Sequence, residues 1–562
     1  MAHSLFAFGS NGHGQLGIGS DIDTSLPRPV QFVPPLAFTP RDHHAHCHHQ
    51  EQHLNHDDGI HTMTRPFHAF AAGGNHTALI TADDSRLLYM TGSNKDHESL
   101  LEEPTQVFRR VELSHAQQQQ QQQQQREIAQ QVEQVRWRSV ACGWAFTIAV
   151  TEPSPRPHLV QEQSQEQHVD HRWCNTAFSW GSGAFGELGL GPGVTKTGYN
   201  AVTIRTGLLS ESSLHFLTLS SSDRFEILQV KAGLRHVLML VKQIDHAGRK
   251  ITNILMGWGS NRQGQLGILE RARSRTGSQT GGEAGVSDVE EHLPPFTEKE
   301  LRGKFLEPTR ILISKEQQPS TLTQESAEVV DMACGQNHSL VLFTDGTVYA
   351  SGLNKYGQLG PRRSTTVTTA TTTATATGLK DRPQEFRIGF EQVLGIPFVD
   401  SISCGWNHNA VMDTRPILSN GNTGRTVIYL WGRNDHGQLG SETPALRAVD
   451  VDLSGAGLPG IVQIRIPNES DDQKEKDYEE IVSYSCGSEH TLAMTRSGAC
   501  YSWGWNEHGN CGSGFNDSID GLQDVQAPRK VRFETLPEES SSSNKDEQRW
   551  VSGGYGSSWV WT

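Results

Sequence analysis

The sequence has no excess of positive charge, no long apolar run and no paired cysteine motif. Its 562 residues carry a formal net charge of −15. So acidic a chain argues against nucleic acid or an anionic membrane as a partner, because both bind basic surfaces. No apolar run approaches the roughly 20 residues of a membrane-spanning helix, and the first residues leave no room for a signal peptide. We therefore expect a monomeric protein of the cytoplasm, or of the cytoplasm and the nucleus.

The sequence also lacks the motifs of common catalytic and metal sites. Its eight cysteines contain no Cys-x-x-Cys pair. Four cysteines share one repeat position, which predicts small buried residues in a reducing compartment and not a disulfide framework or a zinc site; they are Cys142, Cys334, Cys404 and Cys486. No Gly-x-x-x-x-Gly-Lys-Ser/Thr loop and no Ser-His-Asp or Cys-His arrangement can be singled out. The sequence predicts no catalytic residue, no cofactor and no metal, and we expect that the chain is not an enzyme.

Glycine is abundant instead, with 56 residues, and much of it lies in a repeated motif. Gly432 to Gly440 reads G-R-N-D-H-G-Q-L-G and follows an apolar, strand-like segment. The spacing recurs in six copies, and a decayed seventh begins at Gly92, where His97 and Leu100 replace the later glycines. Such glycines suit tight turns with positive φ. The six sets are Gly9, Gly14, Gly17; Gly181, Gly186, Gly189; Gly259, Gly264, Gly267; Gly352, Gly357, Gly360; Gly432, Gly437, Gly440; and Gly504, Gly509, Gly512.

A second half-repeat follows each glycine motif. It reads small residue or Cys, Gly, two variable residues, His and an apolar strand, as in Cys334 to Leu340. Phe146 and Ser557 replace the histidine in two copies. Equivalent positions in separate blades lie too far apart for joint metal ligation, so these histidines are interpreted as hydrogen-bonding residues that tie each strand to its neighbour. They are His76, His236, His338, His408 and His490.

The connections between the halves predict the fold. Asp345-Gly346 and Ser497-Gly498 separate apolar runs as hairpin turns do, so each hairpin joins one half-repeat to the next glycine motif. The first strand, Leu5 to Phe8, and the last, Val551 to Trp561, are then left without partners, and pairing them closes a ring. Proline-led segments such as the one starting at Pro29 would supply outer strands. The sequence predicts an all-β, seven-bladed propeller.

These motifs resemble the regulator of chromosome condensation repeat family. Residues 6–19 and 503–512 look most like its fungal alpha-tubulin suppressor branch. The resemblance implies a non-enzymatic protein-protein interaction scaffold, linked to microtubules or, through a small zinc protein, to diphthamide synthesis and tRNA wobble modification. Tubulin-related factors are further implied partners. The first alternative is guanine-nucleotide exchange on a small GTPase, as in the founding member, which acts on Ran. The second is a ubiquitin-ligase adaptor.

Polar, low-complexity segments interrupt the repeats. They cannot bury enough apolar surface to order themselves, so residues 1–562 are interpreted as a single propeller with disordered loop inserts. A histidine-rich cluster between His43 and His61 and nine glutamines at 117–125, followed by a predicted short helix, fall within them. The inserts are 40–66, 114–134, 153–172, 270–300, 361–382, 468–480 and 535–548.

Two glycine stretches match the dinucleotide fingerprint, at residues 12–17 and 181–186. No helix pattern follows either of them, so both are interpreted as repeat turns. The position after the half-repeat glycine is a stronger functional candidate, because its copies should share one face. Large aromatic residues there are typical interface anchors. We predict a partner-binding face at Trp144, Trp406 and Tyr555, joined by Trp505.

Overall fold

The computed structural model describes the repeats and not the inserts. The described residues are 4–36, 67–112, 135–153, 174–198, 201–204, 224–269, 296–313, 327–361, 386–414, 426–441, 461–464, 466–467, 478–514, 522–533 and 549–562. Apart from their ends, all seven predicted inserts lie outside these residues, as do the histidine-rich cluster and the polyglutamine segment with its helix. The limits of the inserts therefore stay predictions.

The described residues form seven blades around one axis, which confirms the predicted seven-bladed propeller. In each blade the strands pair antiparallel from the axis to the rim; the order is that of the chain except in blade 1, where the last two strands of the chain precede the first two, and in blade 4, where the fourth strand along the chain lies outside the fifth. Blade 1 contains β1 (Leu5–Gly9), β2 (Thr24–Pro29), β31 (Trp550–Gly553) and β32 (Ser557–Trp561). Blade 2 contains β4 (Phe67–Ala72), β5 (His76–Thr81), β6 (Leu88–Gly92) and β7 (Thr105–Arg110), with β3 (Phe32–Val33) parallel at its edge. Blade 3 contains β8 (Trp137–Cys142), β9 (Phe146–Thr151), β10 (Ala177–Gly181) and β11 (Val202–Thr203).

The other four blades follow the same plan. Blade 4 contains β12 (Arg224–Ala232), β13 (His236–Ile244), β14 (Lys250–Ser260), β15 (Ile268–Leu269) and β16 (Lys304–Leu312), with a one-turn helix, α1 (Glu298–Leu301), before the last strand. Blade 5 contains β17 (Val329–Cys334), β18 (His338–Phe343), β19 (Val348–Leu353) and β20 (Phe386–Gln392). Blade 6 contains β21 (Ser401–Cys404), β22 (His408–Asp413), β23 (Val427–Gly432) and β24 (Val462–Ile464). A ribbon of β25 (Ile466–Pro467) and β26 (Tyr478–Glu479) precedes blade 7, which contains β27 (Ile481–Cys486), β28 (His490–Thr495), β29 (Cys500–Gly504) and β30 (Val525–Lys530).

Both predicted strand connections are present. β18 pairs with β19 across the Asp345-Gly346 turn, with His338 opposite Gly352, so the blades are out of phase with the sequence repeat. β1 pairs antiparallel with β32, with Leu5 opposite Trp561. The ends of the chain therefore close the ring in blade 1, and neither strand is left with an exposed edge.

The outer strands differ from the prediction in where their prolines lie. Pro29 ends β2 instead of starting a strand. Pro308 and Pro528 lie inside β16 and β30, next to the register shifts at which these strands bulge away from their partners. A bulge leaves a residue out of the hydrogen-bond ladder, so proline costs no bond there. The prolines mark the outer strands but do not mark where they begin.

The apolar core is divided among the blade junctions. Seven hydrophobic clusters each draw residues from two neighbouring blades. Trp180, Trp258, Trp431 and Trp503 precede the first glycine of four motifs and are fully buried in these clusters. Each indole N–H donates to a backbone carbonyl in the motif of the preceding blade, as from Trp258 to Glu187 at 2.7 Å. Strands rich in aromatic residues therefore stabilise the contact between blades as well as the blade itself.

The five repeat histidines form hydrogen bonds between blades, as the sequence predicted. Each Nε2 lies 2.8 to 3.1 Å from a hydroxyl or amide oxygen in the next blade, as between His236 and Ser339. That partner donates in turn to a backbone carbonyl in the glycine motif of the blade that contains the histidine, as Ser339 does to Gln265. Burial lowers the pKa of His76, His338 and His490 to about 4 and that of His236 and His408 to about 3. These rings are neutral links between neighbouring blades.

All eighteen motif glycines have positive φ, between 58° and 118°. The decayed motif keeps this backbone without glycine, since His97 has φ 64° and Leu100 φ 56°. The packing between blades therefore requires this turn conformation even at residues with a side chain, for which the left-handed backbone is unfavourable by about 1–2 kcal/mol. The turns at both dinucleotide-like matches belong to this set, and no helix follows either one among the described residues, so their interpretation as repeat turns is confirmed.

Replacing Gly437 by alanine is expected to destabilise the propeller by about 2–4 kcal/mol. Its φ is 78°, and an added Cβ would lie 2.7 Å from the Cα of Gln526 in the next blade. Gly12→Ala is the matched control, because a Cβ there meets nothing within 4 Å. In urea denaturation, the midpoint of Gly437→Ala should fall to a lower urea concentration, and that of Gly12→Ala should stay near the wild-type value. Equal midpoints for the two variants would contradict the close packing of the junction.

Candidate functional site

One end of the propeller carries both halves of every repeat. Because successive strands alternate in direction, the turn from the first to the second strand lies at the same end as the segment from the third to the fourth. The first of these holds the Gly-x-x-His sequence and the second holds the glycine motif. We call this end the motif face. The hairpin turns, such as Asp345-Gly346, lie at the opposite end.

Backbone hydrogen bonds link the first turns of neighbouring blades around the axis. Gly74 N–H donates to Gly143 at 3.2 Å, Trp406 N–H donates to Ser488 at 2.8 Å, and Ser488 N–H donates to Gly554 at 2.8 Å. These bonds hold the variable residue of each turn at a fixed position close to the axis. The prediction that these positions share one face therefore agrees with the structure.

Three of the four predicted interface aromatics meet over the axis. The rings of Trp144 and Tyr555 have centroids 6.0 Å apart, and those of Trp406 and Tyr555 are 5.6 Å apart, both edge to face. They come from blades 3, 1 and 6, which are not neighbours, so they can meet only across the mouth of the central channel. We call these three residues the aromatic cap. Burial raises the pKa of the Tyr555 hydroxyl well above its ordinary value.

The aromatic cap is only partly buried. Trp144 remains 46 % exposed, and the Nε1 of Trp406 is buried without an acceptor among the described residues. An unpaired buried donor costs stability. Trp144 is the residue of the aromatic cap that offers the most surface to solvent.

Trp505 lies on the motif face but makes a different contact. Its ring packs edge to face on His508, with centroids 5.2 Å apart. It also lies beside Gly556, where an added Cβ would be 3.3 Å from the indole. Trp505 therefore borders the aromatic cap. Its role in partner binding stays a prediction, as does that of the cap.

A further set of contacts was not predicted. The residue before the middle glycine of a motif reaches the next blade, where it meets the first turn, the glycine motif or the start of the outer strand. Phe185 is contacted in this way by Arg235 and Lys304 of blade 4, and Tyr356 by Arg433 of blade 6. The charge of this contact differs from junction to junction, which gives the motif face an electrostatic polarity.

The junction of blades 3 and 4 is basic. The guanidinium of Arg235 lies 4.2 Å from the centre of the Phe185 ring, that of Arg262 lies 5.4 Å from it, and the Lys304 ammonium lies 5.6 Å from it. All three cations are exposed. We call these four residues the basic junction. At the junction of blades 5 and 6, Arg433 also lies over an aromatic ring, 5.2 Å from the centre of Tyr356.

The junction of blades 6 and 7 has the opposite character. His436 lies between two carboxylates, with Nε2 3.2 Å from Glu489 and Nδ1 2.8 Å from Asp524. Arg433 binds Glu489 as well, and burial raises the pKa of that carboxyl while Arg433 opposes the shift. We call Glu489, Asp524 and Asp435 with these two partners the acidic junction. A sequence comparison could have found both junctions, since Arg235 and Glu489 are the same position of the half-repeat.

The described residues contain no group of three or more His, Cys, Asp or Glu side chains placed to hold a metal ion. No helix among them has the length and apolar character needed to cross a membrane. The seven cysteines within the described ranges are all free thiols. The motif face presents aromatic rings, cations and carboxylates.

Known proteins share this architecture. The regulator of chromosome condensation (RCC1) repeat matches residues 3–39, 345–412, 427–494 and 497–558, and a second description of the same repeat matches 329–358 and 481–510. The secretion-regulating guanine nucleotide exchange factor of Mus musculus is 27% identical over 527 residues, covering 93% of this chain and 78% of that protein. The ultraviolet-B receptor UVR8 of Arabidopsis thaliana is 27% identical over 459 residues, covering 73% of this chain and 89% of the receptor.

A solved structure shares the whole fold. Prp20p of Saccharomyces cerevisiae, studied for its binding to Gsp1p and histones, superposes with a TM-score of 0.55 and 16% identity, covering 100% of this chain and 91% of Prp20p. At that identity the likeness concerns the fold alone.

The expectation that the chain is not an enzyme is wrong in the light of these relatives. The mouse protein that matches almost the whole chain is named as a guanine nucleotide exchange factor, and exchange factors are catalysts of nucleotide release. An exchange factor needs no acyl or phosphoryl transfer site, because exchange requires only a surface that distorts its partner. Since both halves of the repeat match and all seven blades follow one plan, this chain is a seven-bladed propeller that carries regulator of chromosome condensation (RCC1) repeats.

Proposed function

We propose that this protein is a guanine nucleotide exchange factor for a small GTPase. The observation that carries the proposal is the similarity to the mouse exchange factor, which extends over 93% of this chain. The match spans the blades and is not confined to one repeat, so the relative presents a comparable set of turns at the motif face.

The motif face has the properties that exchange requires. An exchange factor binds the GTPase more tightly when its nucleotide is absent, and by linkage it then weakens nucleotide binding by the same factor. Such a surface must be rigid, because a partner cannot be distorted by a surface that yields. The motif face is rigid since its turns are joined by backbone hydrogen bonds and by glycines in the left-handed region.

The aromatic cap is the proposed anchor on this face. Exposed Trp and Tyr side chains near the centre of an interface typically supply much of its binding energy. Trp144 and Tyr555 occupy the centre of the ring, where a partner seated over the channel must contact them. We place the GTPase over the axis, with the basic and acidic junctions on different sides of it.

The partner and the location belong to the proposal as well. We expect a small GTPase as the protein partner and the cytoplasm, or the cytoplasm and the nucleus, as the site of action. The narrower resemblance to the alpha-tubulin suppressor branch, with tubulin-related factors or a small zinc protein as partners, stays a prediction.

Release of fluorescent GDP from a panel of purified small GTPases tests the proposal. We expect the protein to accelerate release from at least one GTPase by about tenfold or more, which corresponds to about 1.4 kcal/mol of barrier. Trp144→Ala combined with Tyr555→Ala should abolish most of the acceleration. Phe398→Ala is the control, because Phe398 is a 53 % exposed aromatic in the connection between β20 and β21, at the opposite end. A panel with no accelerated member, or equal loss in the control, would reject the proposal.

A further inference from the structure

We propose that the basic junction is a docking site for a carboxylate-rich segment of the partner protein. The inference rests on the proposed function in one respect, because it takes that partner to be the GTPase. It goes further by assigning a specific part of the motif face, Phe185 with Arg235, Arg262 and Lys304, to an acidic stretch of Asp and Glu side chains.

The site is built by three separate segments of blade 4 that converge on a ring of blade 3. Arg235 comes from the first turn, Arg262 from the glycine motif and Lys304 from the start of the outer strand. Lys304 Nζ donates to the carbonyl of Ala184 at 3.1 Å, so it is held next to the ring. Arg302 donates to the backbone carbonyl of Arg262 at 3.3 Å and adds a fourth cation to the same edge.

The chain itself compensates the cations of the basic junction only in part. Within the described ranges, no ion pair joins Arg235, Arg262 or Lys304 to a carboxylate. Glu187 is mostly buried and interacts electrostatically with Arg235 and Lys304, but its carboxylate is engaged in accepting the backbone N–H of Phe185 at 2.7 Å. Cation–π contacts at an exposed site contribute about 0.5–1 kcal/mol each, and they leave the positive charge of the three side chains in place. Three clustered cations in a chain of net charge −15 are therefore poised for an anionic ligand.

The geometry favours carboxylates. A guanidinium that lies over an aromatic ring keeps the N–H donors along its edge available, and these donors match a carboxylate in bidentate geometry. The neighbouring aromatic cap suits a folded protein surface rather than a free ion.

The rest of the motif face argues against a membrane or a nucleic acid as the occupant. Glu489, Asp524 and Asp435 lie on the same face at the junction of blades 6 and 7. A flat anionic lipid surface or a polyphosphate backbone would meet these carboxylates together with the basic junction, and the net charge opposes both. A protein can present acidic groups to one junction and basic groups to the other, which also orients it on the face.

A charge-reversal pair tests the site directly. Arg235→Glu with Arg262→Glu is compared with Arg109→Glu plus Arg529→Glu, which changes the charge equally at exposed positions on the outer strands of blades 2 and 7. The probe is a fluorescein-labelled oligoglutamate peptide, followed by fluorescence anisotropy at low and high salt. We expect wild type and control to bind the peptide, and the basic-junction variant to bind it about tenfold more weakly. Thermal unfolding establishes that both variants remain folded.

Exchange kinetics provide the second arm. On a GTPase that the wild type discharges, the basic-junction variant should raise KM by about tenfold with a smaller change in kcat, since the lost charges act on association. The inference fails if wild type does not bind the peptide, if both variants bind it equally, or if phosphatidylserine–phosphatidylcholine vesicles or pyrophosphate bind at these arginines in its place. A panel without any exchange, together with junction-dependent peptide binding, rejects the proposed function and leaves the docking site supported.

Discussion

Lowering the pH from about 7.5 to about 5 is expected to cost this protein on the order of 10 kcal/mol of its free energy of unfolding. The cause is the set of five histidines that link neighbouring blades. Each has a pKa lowered by burial from 6.5 to about 3 or 4. Once the chain unfolds, each regains its ordinary pKa and binds a proton.

The sign follows from the proton count. Between about pH 4 and about pH 6.5 the unfolded chain binds more protons than the folded one, so the free energy of unfolding falls as the pH falls. The histidine contribution is fully present above about pH 6.5 and is lost progressively towards pH 4. At about pH 5 each histidine accounts for a loss of about 2 kcal/mol in the free energy of unfolding. Glu187 and Glu489 act in the opposite direction, because burial raises the pKa of both carboxyls, but they are fewer.

Urea denaturation at several pH values measures this loss. Typical folded domains have only about 5–15 kcal/mol of stability in total, so we expect the midpoint to approach zero near pH 5. His490→Phe is an informative variant, since Phe146 occupies the same position in blade 3 and Ser558 would keep its bond to the carbonyl of Asn510. On acidification to about pH 5, the free energy of unfolding of this variant should fall by about 2 kcal/mol less than that of the wild type. A midpoint that does not change with pH would contradict the neutral state of the buried rings.

Replacing Trp559 by alanine is expected to destabilise the propeller by about 3–5 kcal/mol. Trp559 is fully buried in β32, the strand that closes the ring, and its side chain packs on Phe70 of blade 2 with ring centroids 5.0 Å apart. The hydrogen bonds between β1 and β32 complete blade 1, and Trp559 holds that blade against blade 2. Loss of the side chain therefore weakens both the closing strand and a blade junction.

Trp144→Ala is the matched control for this prediction. It deletes the same type of side chain from a partly exposed position, so its free energy of unfolding should stay within about 1 kcal/mol of the wild-type value. Trp559→Phe should cost less than Trp559→Ala, because it refills part of the cavity and removes an indole N–H that has no acceptor among the described residues. Guanidinium denaturation ranks the three variants. Equal stability of Trp144→Ala and Trp559→Ala would show that ring closure does not depend on this packing.

The fold could be predicted because its signals are short-range and repeated. The Asp345-Gly346 turn between apolar runs identified the hairpin, and the unpaired first and last strands then required closure. The prediction that prolines start the outer strands was wrong where they lie within bulges, as at Pro528. The position of a bulge depends on the partner strand and not on the residue itself. His97 and Leu100 likewise keep a glycine conformation that their own preferences oppose.

The candidate site could be predicted only in part. The equivalent position after the half-repeat glycine indicated that Trp144, Trp406 and Tyr555 share a face. It did not indicate that their rings touch, since that depends on the width of the channel and on the rotamers of residues from non-neighbouring blades. The charged junctions were not predicted at all. The repeat marks Arg235 and Glu489 as equivalent charged positions, but it does not show which side chains of the neighbouring blade they meet, such as Phe185.

The sequence by itself therefore determined the repeat, the number of blades, their phase and the closure of the ring, because local turn chemistry and alternating strands specify these. Only the tertiary structure decided what the motif face presents to a partner. Bringing the seven turns around one axis gathers three aromatic rings over the channel and separates the basic from the acidic junction. These are contacts between distant segments, so packing and electrostatics across blades specify them and local preference does not.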